Sequence, residues 1–325
     1  MTDYKKIQGF EVQTLSSDPT EPGWAGSIFY NSTSGTFKTV KPGGIALGTW
    51  ASGGSFPIST VERMGGAGTQ TAAVSVAGYN PATPGAFDGV YEYNGTSWST
   101  NPNSYPISVY GLWGSGTATA GLFVGGSGVT GAANKFNGTT FTPTGSLNTA
   151  RYYLASSGTE NATIAAGGTL PPAYALTEDF NGTSWTEVND LNTPHTQHSQ
   201  TGTATASLAI GNSPASNIVE SWNGTSWSSN PTLNTAKQTT SASGTQTYGL
   251  VYAGEFTAPL AQTEFWDGTT WTEVADLSTA RYASGSLGVS APADNTVTWT
   301  GSSGSGTSTE EWTVPEVVIN TLTTS

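Results

Sequence analysis

Four residues able to carry positive charge recur at one position of an internal repeat: Arg151, His195, Lys237 and Arg281, spaced 44, 42 and 44 residues apart. In two further copies Thr60 and Val109 stand at that position. Cations gathered by a repeat on a chain of net charge −13 would make a local site for an anionic sugar, a phosphate or a carboxylate. The competing reading is that each cation bonds carbonyls or a carboxylate of the adjoining repeat. His195 and His198 with Asp190 have the residue types of a metal or acid–base group, against the plainer reading of two loop histidines with no chemical task. The carboxylates Asp88, Glu92, Glu160, Glu178, Asp179, Glu255 and Glu264 are the ones a glycan-active hydrolase or lyase would draw on. Glycoside hydrolysis needs two of them at a defined separation, and the repeat supplies no reason for that.

The elements that position these residues come from a repeated hairpin. Tyr93-Asn-Gly-Thr-Ser-Trp98, Phe136-Asn-Gly-Thr-Thr-Phe141, Phe180-Asn-Gly-Thr-Ser-Trp185, Trp222-Asn-Gly-Thr-Ser-Trp227 and Trp266-Asp-Gly-Thr-Thr-Trp271 place second aromatics at intervals of 43, 44, 42 and 44 residues. A period in this range, with β-type residues between copies, predicts a radial repeat of four-stranded blades, a β-propeller. Asn-Gly and Asp-Gly between strands signal a tight type I′ turn with positive φ at both central residues. Pairs such as Gly167-Gly168 mark places where backbone passes close to a neighbour. No stretch has a sustained helical period, and the Thr, Ser, Val and aromatic content favours strands.

Two incomplete copies suggest how the repeat ends meet. The last copy begins at Leu277-Ser-Thr-Ala-Arg281 and has a first aromatic, Trp312, with no second. Trp50 has a second-aromatic slot and no first. The strand near 46–52 is therefore expected as the outer strand of the last sheet, closing a six-bladed propeller and removing two exposed sheet edges. The expected organisation is a small N-terminal anchor module over 1–43, the propeller over 44–316 and a tail over 317–325.

A basic residue near the first strand, Gly-Gly after the second, then aromatic-Asn-Gly-x-x-Trp: across roughly 46–314 this pattern resembles the kelch repeat. Gly211-Asn212 and Ala253-Gly254 depart from its Gly-Gly. The stretch from Ser16 to Lys38, with Pro22-Gly-Trp24 and Ile28-Phe-Tyr-Asn31, resembles a segment near the N-terminus of many tail and appendage proteins of marine bacteriophages, in which Asn-Gly-Thr-Ser-Trp repeats also recur. The resemblance implies a virion protein made in the host cytoplasm, with residues 1–43 contacting other virion proteins. Within that module Phe10, Trp24, Ile28, Phe29, Tyr30 and Phe37 are the expected partner anchors. Ile28–Tyr30 and Thr36–Val40 can form a hairpin across 31–35, and a lone hairpin is marginal in water, so a partner or oligomerisation with its own copies is expected to steady it.

Composition narrows the function classes. Charged residues are only 10% of the chain, and nine Lys and Arg against 22 Asp and Glu oppose nucleic-acid binding or an anionic membrane surface. No run reaches the 18–20 apolar residues of a membrane span, and no apolar signal core follows Met1-Thr-Asp-Tyr-Lys-Lys. Without cysteine there is neither disulfide nor thiolate chemistry, and no metal or other cofactor is expected. Six Asn-x-Ser/Thr sequons, at Asn31, Asn94, Asn137, Asn161, Asn181 and Asn223, read as turn chemistry rather than glycosylation. The hairpin residues Trp98, Trp185, Trp227 and Trp271 are expected to pack between blades. Tyr79, Phe87, Tyr105, Tyr110, Trp113, Tyr174, Phe256 and Trp299 occupy freer positions, where aromatics can stack on sugar rings. These readings favour a non-enzymatic virion protein whose propeller recognises a host-surface glycan or decorates the particle, over a glycan-active enzyme on the same scaffold.

Overall fold

The computed structural model describes residues 12–20, 24–44, 47–128, 130–287, 293–302 and 305–322. Among them the regular structure is β, with no α-helix. The chain divides into two compact units, Thr49–Thr313 and a smaller one formed by residues 1–48 and 314–325.

Among its described residues the larger unit holds six antiparallel sheets of four strands each. Sheet 1 comprises Gly65–Thr69, Ala72–Asn80, Gly85–Tyr93 and Trp98–Thr100. Sheet 2 comprises Trp113–Thr117, Ala120–Val124, Ala133–Phe136 and Phe141–Pro143, and sheet 3 Tyr152–Thr159, Ala162–Thr169, Thr177–Phe180 and Trp185–Val188. Sheet 4 comprises Ser199–Thr203, Ala206–Ile210, Val219–Trp222 and Trp227–Ser229; sheet 5, Ser241–Thr245, Tyr248–Tyr252, Thr263–Trp266 and Trp271–Val274. Sheet 6 draws three strands from the C-terminal side, Gly285–Ser286, Asn295–Trp299 and Thr309–Thr313, and its fourth, Thr49–Ser52, from the N-terminal side. In that splice Trp312 pairs with Trp50 and Glu311 with Ala51.

Each first strand lies alongside the first strand of the next sheet, and Gly285–Ser286 of sheet 6 lies alongside Gly65–Thr69 of sheet 1. Close approach there needs glycine: a Cβ on Gly66 would sit 1.9 Å from the Ser286 carbonyl oxygen. The second strands supply the apolar core between sheets, with Val74, Leu122, Ile164, Leu208, Leu250 and Val297 all fully buried. The hairpin tryptophans bridge sheets as their spacing predicts. The indole N–H of Trp98 donates to Thr309, that of Trp227 to Thr177 and that of Trp50 to Thr263, each a third-strand threonine of the preceding sheet.

The hairpin turn differs from the expected two-residue type I′ form. Tyr93 pairs with Trp98 and Phe180 with Trp185, leaving four residues in the loop. Only the glycine adopts positive φ, as at Gly95 (90°) and Gly182 (98°). The preceding Asn instead uses its side chain: Oδ1 of Asn94 accepts the backbone N–H groups of Thr96 and Ser97, and Asn137, Asn181, Asn223 and Asp267 repeat the arrangement. These are Asx turns, which explains why Asn or Asp leads every copy.

In the smaller unit Gln13–Leu15 pairs parallel with Ile28–Asn31, which forms the expected hairpin with Thr36–Pro42. Where a tail is expected at 317–325, Val317–Thr321 instead forms a fourth strand antiparallel to Thr36–Pro42. The physical reason is the β-branched run Val-Val-Ile, which favours a strand and continues a sheet that a three-stranded module would leave open at that edge.

Candidate functional site

The four repeated cations are not gathered in an open ring. Each is fully buried within its own sheet and faces a glutamate of the third strand of that same sheet. Arg151 donates through Nη1 to Glu178 and Arg281 through Nη2 to Glu310. Lys237 Nζ lies 3.1 Å from Glu264 Oε1, and His195 Nε2 lies 3.3 Å from Glu220 Oε1. The expected ligand-binding role of Arg151, His195, Lys237 and Arg281 is thus replaced by three internal ion pairs and one histidine–glutamate contact, with the carboxylate coming from the same repeat rather than the adjoining one. Burial lowers the basicity of Lys237 and of Arg281, and the facing glutamates oppose that effect.

The glutamates do more than neutralise charge. Glu178 also accepts the backbone N–H groups of Asn148 and Thr149, Glu220 those of Asn192 and Thr193, and Glu264 those of Asn234 and Thr235. The segments Leu147–Arg151, Leu191–His195, Leu233–Lys237 and Leu277–Arg281 therefore fold around a carboxylate, with each leucine buried beneath. Burial pushes the Glu220 carboxyl up, and contacts from His195 and Asn192 outweigh it, leaving it below the usual carboxylate range.

Sheets 1 and 2 lack both partners together. Val109 and, in place of the aligned Thr60, Val61 stand where the cation belongs: the Val61 carbonyl accepts from the Gly301 N–H as that of Lys237 accepts from Asn212. Tyr91 and Asn134 stand two residues before the first aromatic, where the glutamate belongs. In sheet 1, Phe56 meets Tyr91 edge-on at 4.9 Å. In sheet 2, Asn134 Nδ2 donates to the Tyr105 hydroxyl at 3.0 Å. The glutamate, two residues before the first aromatic, is the partner that cation-centred sequence reasoning passes over; its signal is that cation and glutamate appear or vanish as a pair. Among the catalytic carboxylates considered for an enzyme, Glu178 and Glu264 are thereby committed to ion pairs. Glu92 accepts from Asn101, and Asp190 from the Thr177 N–H.

The two histidines are interior residues, not loop bystanders. His195 and His198 are buried with ring centroids 5.2 Å apart. Among the described residues no group of three or more His, Asp or Glu side chains is arranged to hold a metal ion. Both ring nitrogens of His198 lack a hydrogen-bond partner, and burial followed by the neighbouring His195 holds its basicity well below the usual histidine range.

His198 lines a small cavity of about 50 Å³ together with Arg63, Gly111, Tyr153, Gln197 and Thr239. Five of the residues around it are one per sheet, and with Ala283 they form a cyclic set of backbone hydrogen bonds. Gly111 N–H donates to Arg63 O, Tyr153 to Gly111, Gln197 to Tyr153, Thr239 to Gln197, Ala283 to Thr239, and Arg63 to Ala283. All six have positive φ, from 50° at Thr239 to 66° at Gly111. Five are not glycine, so each carries left-handed strain of about 1 kcal/mol or more that the cycle holds in place.

Side chains around this cycle are unequal. Arg63 Nη1 donates to the Tyr153 hydroxyl at 2.8 Å, and its guanidinium lies 5.9 and 5.4 Å from the ring centres of Tyr110 and Tyr153. Tyr79 meets Tyr110 edge-on at 5.4 Å. Burial pushes the Tyr153 hydroxyl up to about 12 although Arg63 opposes this, so it stays protonated. Of the other freely placed aromatics, Tyr105 and Trp299 are core residues, while Phe256 is exposed.

Of the expected partner anchors, Phe10 lies outside the described residues. Phe29 is fully buried, pointing with Asn31 and Val40 to the inner face of the smaller sheet, so it is a core residue of that unit. Ile28 and Phe37 are exposed, Tyr30 and Trp24 half-buried, and Tyr30 packs on Phe37 at 5.2 Å. Period-two alternation separates the two sets. Compared with protein-family models and with curated proteins, the chain gave no match.

Proposed function

We propose that residues 49–313 form a six-bladed, kelch-like propeller closed by the strand Thr49–Ser52, and that it serves as a non-enzymatic recognition or decoration module of a bacteriophage particle. The observation that carries the architectural part is the cycle of six backbone hydrogen bonds, one residue from each sheet. The non-enzymatic part is supported by the engagement of the polar interior: repeated cations and glutamates neutralise one another and hold the turns that lead into the first strands. What then varies from sheet to sheet is the set of connections between second and third strands, on a scaffold whose backbone is fixed. That division suits recognition.

Attachment is proposed to run through the smaller unit. Its sheet buries Phe29 and Val40 on one face and carries Ile28 and Phe37, each partly exposed, on the other. The virion assignment rests on the resemblance of the 16–38 segment and of the hairpins to phage appendage proteins.

The test is twofold. Purified protein incubated with bacterial polysaccharides should bind some of them and release no reducing ends; steady release would overturn the non-enzymatic reading. In a cryo-electron map of the particle carrying this chain, the face of Ile28 and Phe37 should be covered by another virion subunit. A particle that lacks the chain would overturn the virion assignment.

A further inference from the structure

We propose that the opening ringed by the six-residue backbone cycle binds an acidic saccharide, with the carboxylate on Arg63 and the sugar ring outside it, beside Tyr153. The inference rests on the recognition reading above and names its site and ligand class.

The other cations placed by the repeat are buried and paired, but Arg63 is different. Its side chain is 29% exposed. Its nearest carboxylate, Glu62, stays 3.9 Å from Nε, beyond hydrogen-bond reach, and Nε itself has no hydrogen-bond partner. Nη1 is oriented by the Tyr153 hydroxyl, and Tyr110 and Tyr153 flank the guanidinium. A guanidinium held in one orientation beside aromatic rings, with donors still free, fits the planar fork of a carboxylate. Burial raises the Glu62 carboxyl above its usual range, and the Arg63 charge opposes that shift.

The second, independent observation is His198. It is 1% exposed, lines the same cavity and has neither ring nitrogen bonded within the chain. A buried neutral imidazole offers one N–H and one lone pair, and leaving both unmade is costly. A hydroxyl-rich guest supplies both complements. Gln197 and Thr239, whose backbones are fixed in the cycle, add an amide and a hydroxyl to the lining. The cavity has room for a group of carboxylate size, with the sugar ring at its opening. Tyrosine faces pack against the C–H faces of sugars, and the arginine selects the acidic ones.

The experiment is calorimetric titration of the full chain with the trimer of galacturonic acid and, as neutral counterpart, galactotriose. The acidic trimer should bind at least tenfold more tightly. Arg63→Ala should abolish that preference, and Arg63→Lys should recover only part of it, because a point charge replaces the fork. Alanine already occupies the equivalent position at Ala283 with φ 52°, so Arg63→Ala keeps the backbone cycle, and an unchanged melting temperature verifies it. Equal binding of the two trimers, or undiminished binding by Arg63→Ala, overturns the proposal.

A parallel assay on immobilised acidic and neutral bacterial polysaccharides separates this failure from that of the wider reading. Retention on polysaccharide that survives Arg63→Ala overturns the mouth site and leaves recognition standing. Retention on none of them overturns both.

Discussion

Trp312 stands directly opposite Trp50 across two antiparallel strands, their rings 5.4 Å apart at 57°. Trp312 is fully buried, and the Trp50 indole reaches on to Thr263 in sheet 5. The pair joins the two chain ends of the larger unit in one sheet, so stability there depends on residues that precede the first complete repeat.

Removing residues 1–43 together with 315–325 should therefore leave a cooperative, folded unit. Removing 1–55 with the same C-terminal cut deletes Thr49–Ser52 and exposes the Thr309–Thr313 edge. The longer deletion should melt about 10 °C lower or aggregate on heating. Scanning calorimetry of the two truncations checks this, and equal transition temperatures would be inconsistent with the pairing.

Glu178→Ala should destabilise the fold by about 3–5 kcal/mol, because Arg151 would be left buried without its counter-charge and two backbone N–H groups would lose their acceptor. The double substitution Arg151→Val with Glu178→Asn imitates Val109 and Asn134 of sheet 2 and should cost less than the single change. Urea titrations of both variants measure the difference. A double variant worse than Glu178→Ala would show that the turn, not the charge, dominates.

The His198 imidazole stays neutral in the folded chain well below 6.5, whereas in the unfolded chain it takes up a proton near 6.5. A folded state that binds the proton less readily loses stability as pH falls below 6.5, with a slope of up to about 1.4 kcal/mol per pH unit. His198→Asn should remove that portion of the slope between pH 6.5 and 5.5. The readout is the urea midpoint at each pH; an unaltered slope in the variant would assign the loss to other groups.

Gly66→Ala should destabilise by at least about 3 kcal/mol, since its Cβ would meet the Ser286 carbonyl oxygen at 1.9 Å and neither backbone can retreat without parting the first strands of sheets 1 and 6. Chemical denaturation checks the size of the effect. A cost below about 1 kcal/mol would mean that this contact is loose.

The sheets were legible in the chain because their signals are local. Asn-Gly between aromatics and the 42–44 residue spacing report on neighbours a few residues apart, and even the outer strand at Trp50 can be found from a missing partner. The turn type was misjudged because Asn-Gly announces a tight turn, while the distance between pairing aromatics sets the loop length. The fate of Arg151, His195, Lys237 and Arg281 was harder to see. Whether a cation faces a channel or a glutamate depends on the side to which one strand turns, and the glutamate lies 25 to 29 residues away. For a related reason the sequence does not single out Arg63. It sits two residues past Val61, one residue out of step with the aligned Thr60, and its tyrosines come from other sheets.

The cycle through Arg63, Gly111, Tyr153, Gln197, Thr239 and Ala283 links six peptide groups donor to acceptor until the last meets the first. Peptide dipoles arranged nose to tail around a circle cancel as vectors, so this belt contributes little field along its own axis, unlike a helix, whose dipoles add. Its backbone donors and acceptors are also all engaged and offer nothing to a guest. The chemical character of the opening is consequently written by side chains alone, those of the five non-glycine members and of neighbours such as His198. A substitution at any of the six can recast what the opening attracts while the belt that bounds it stays the same.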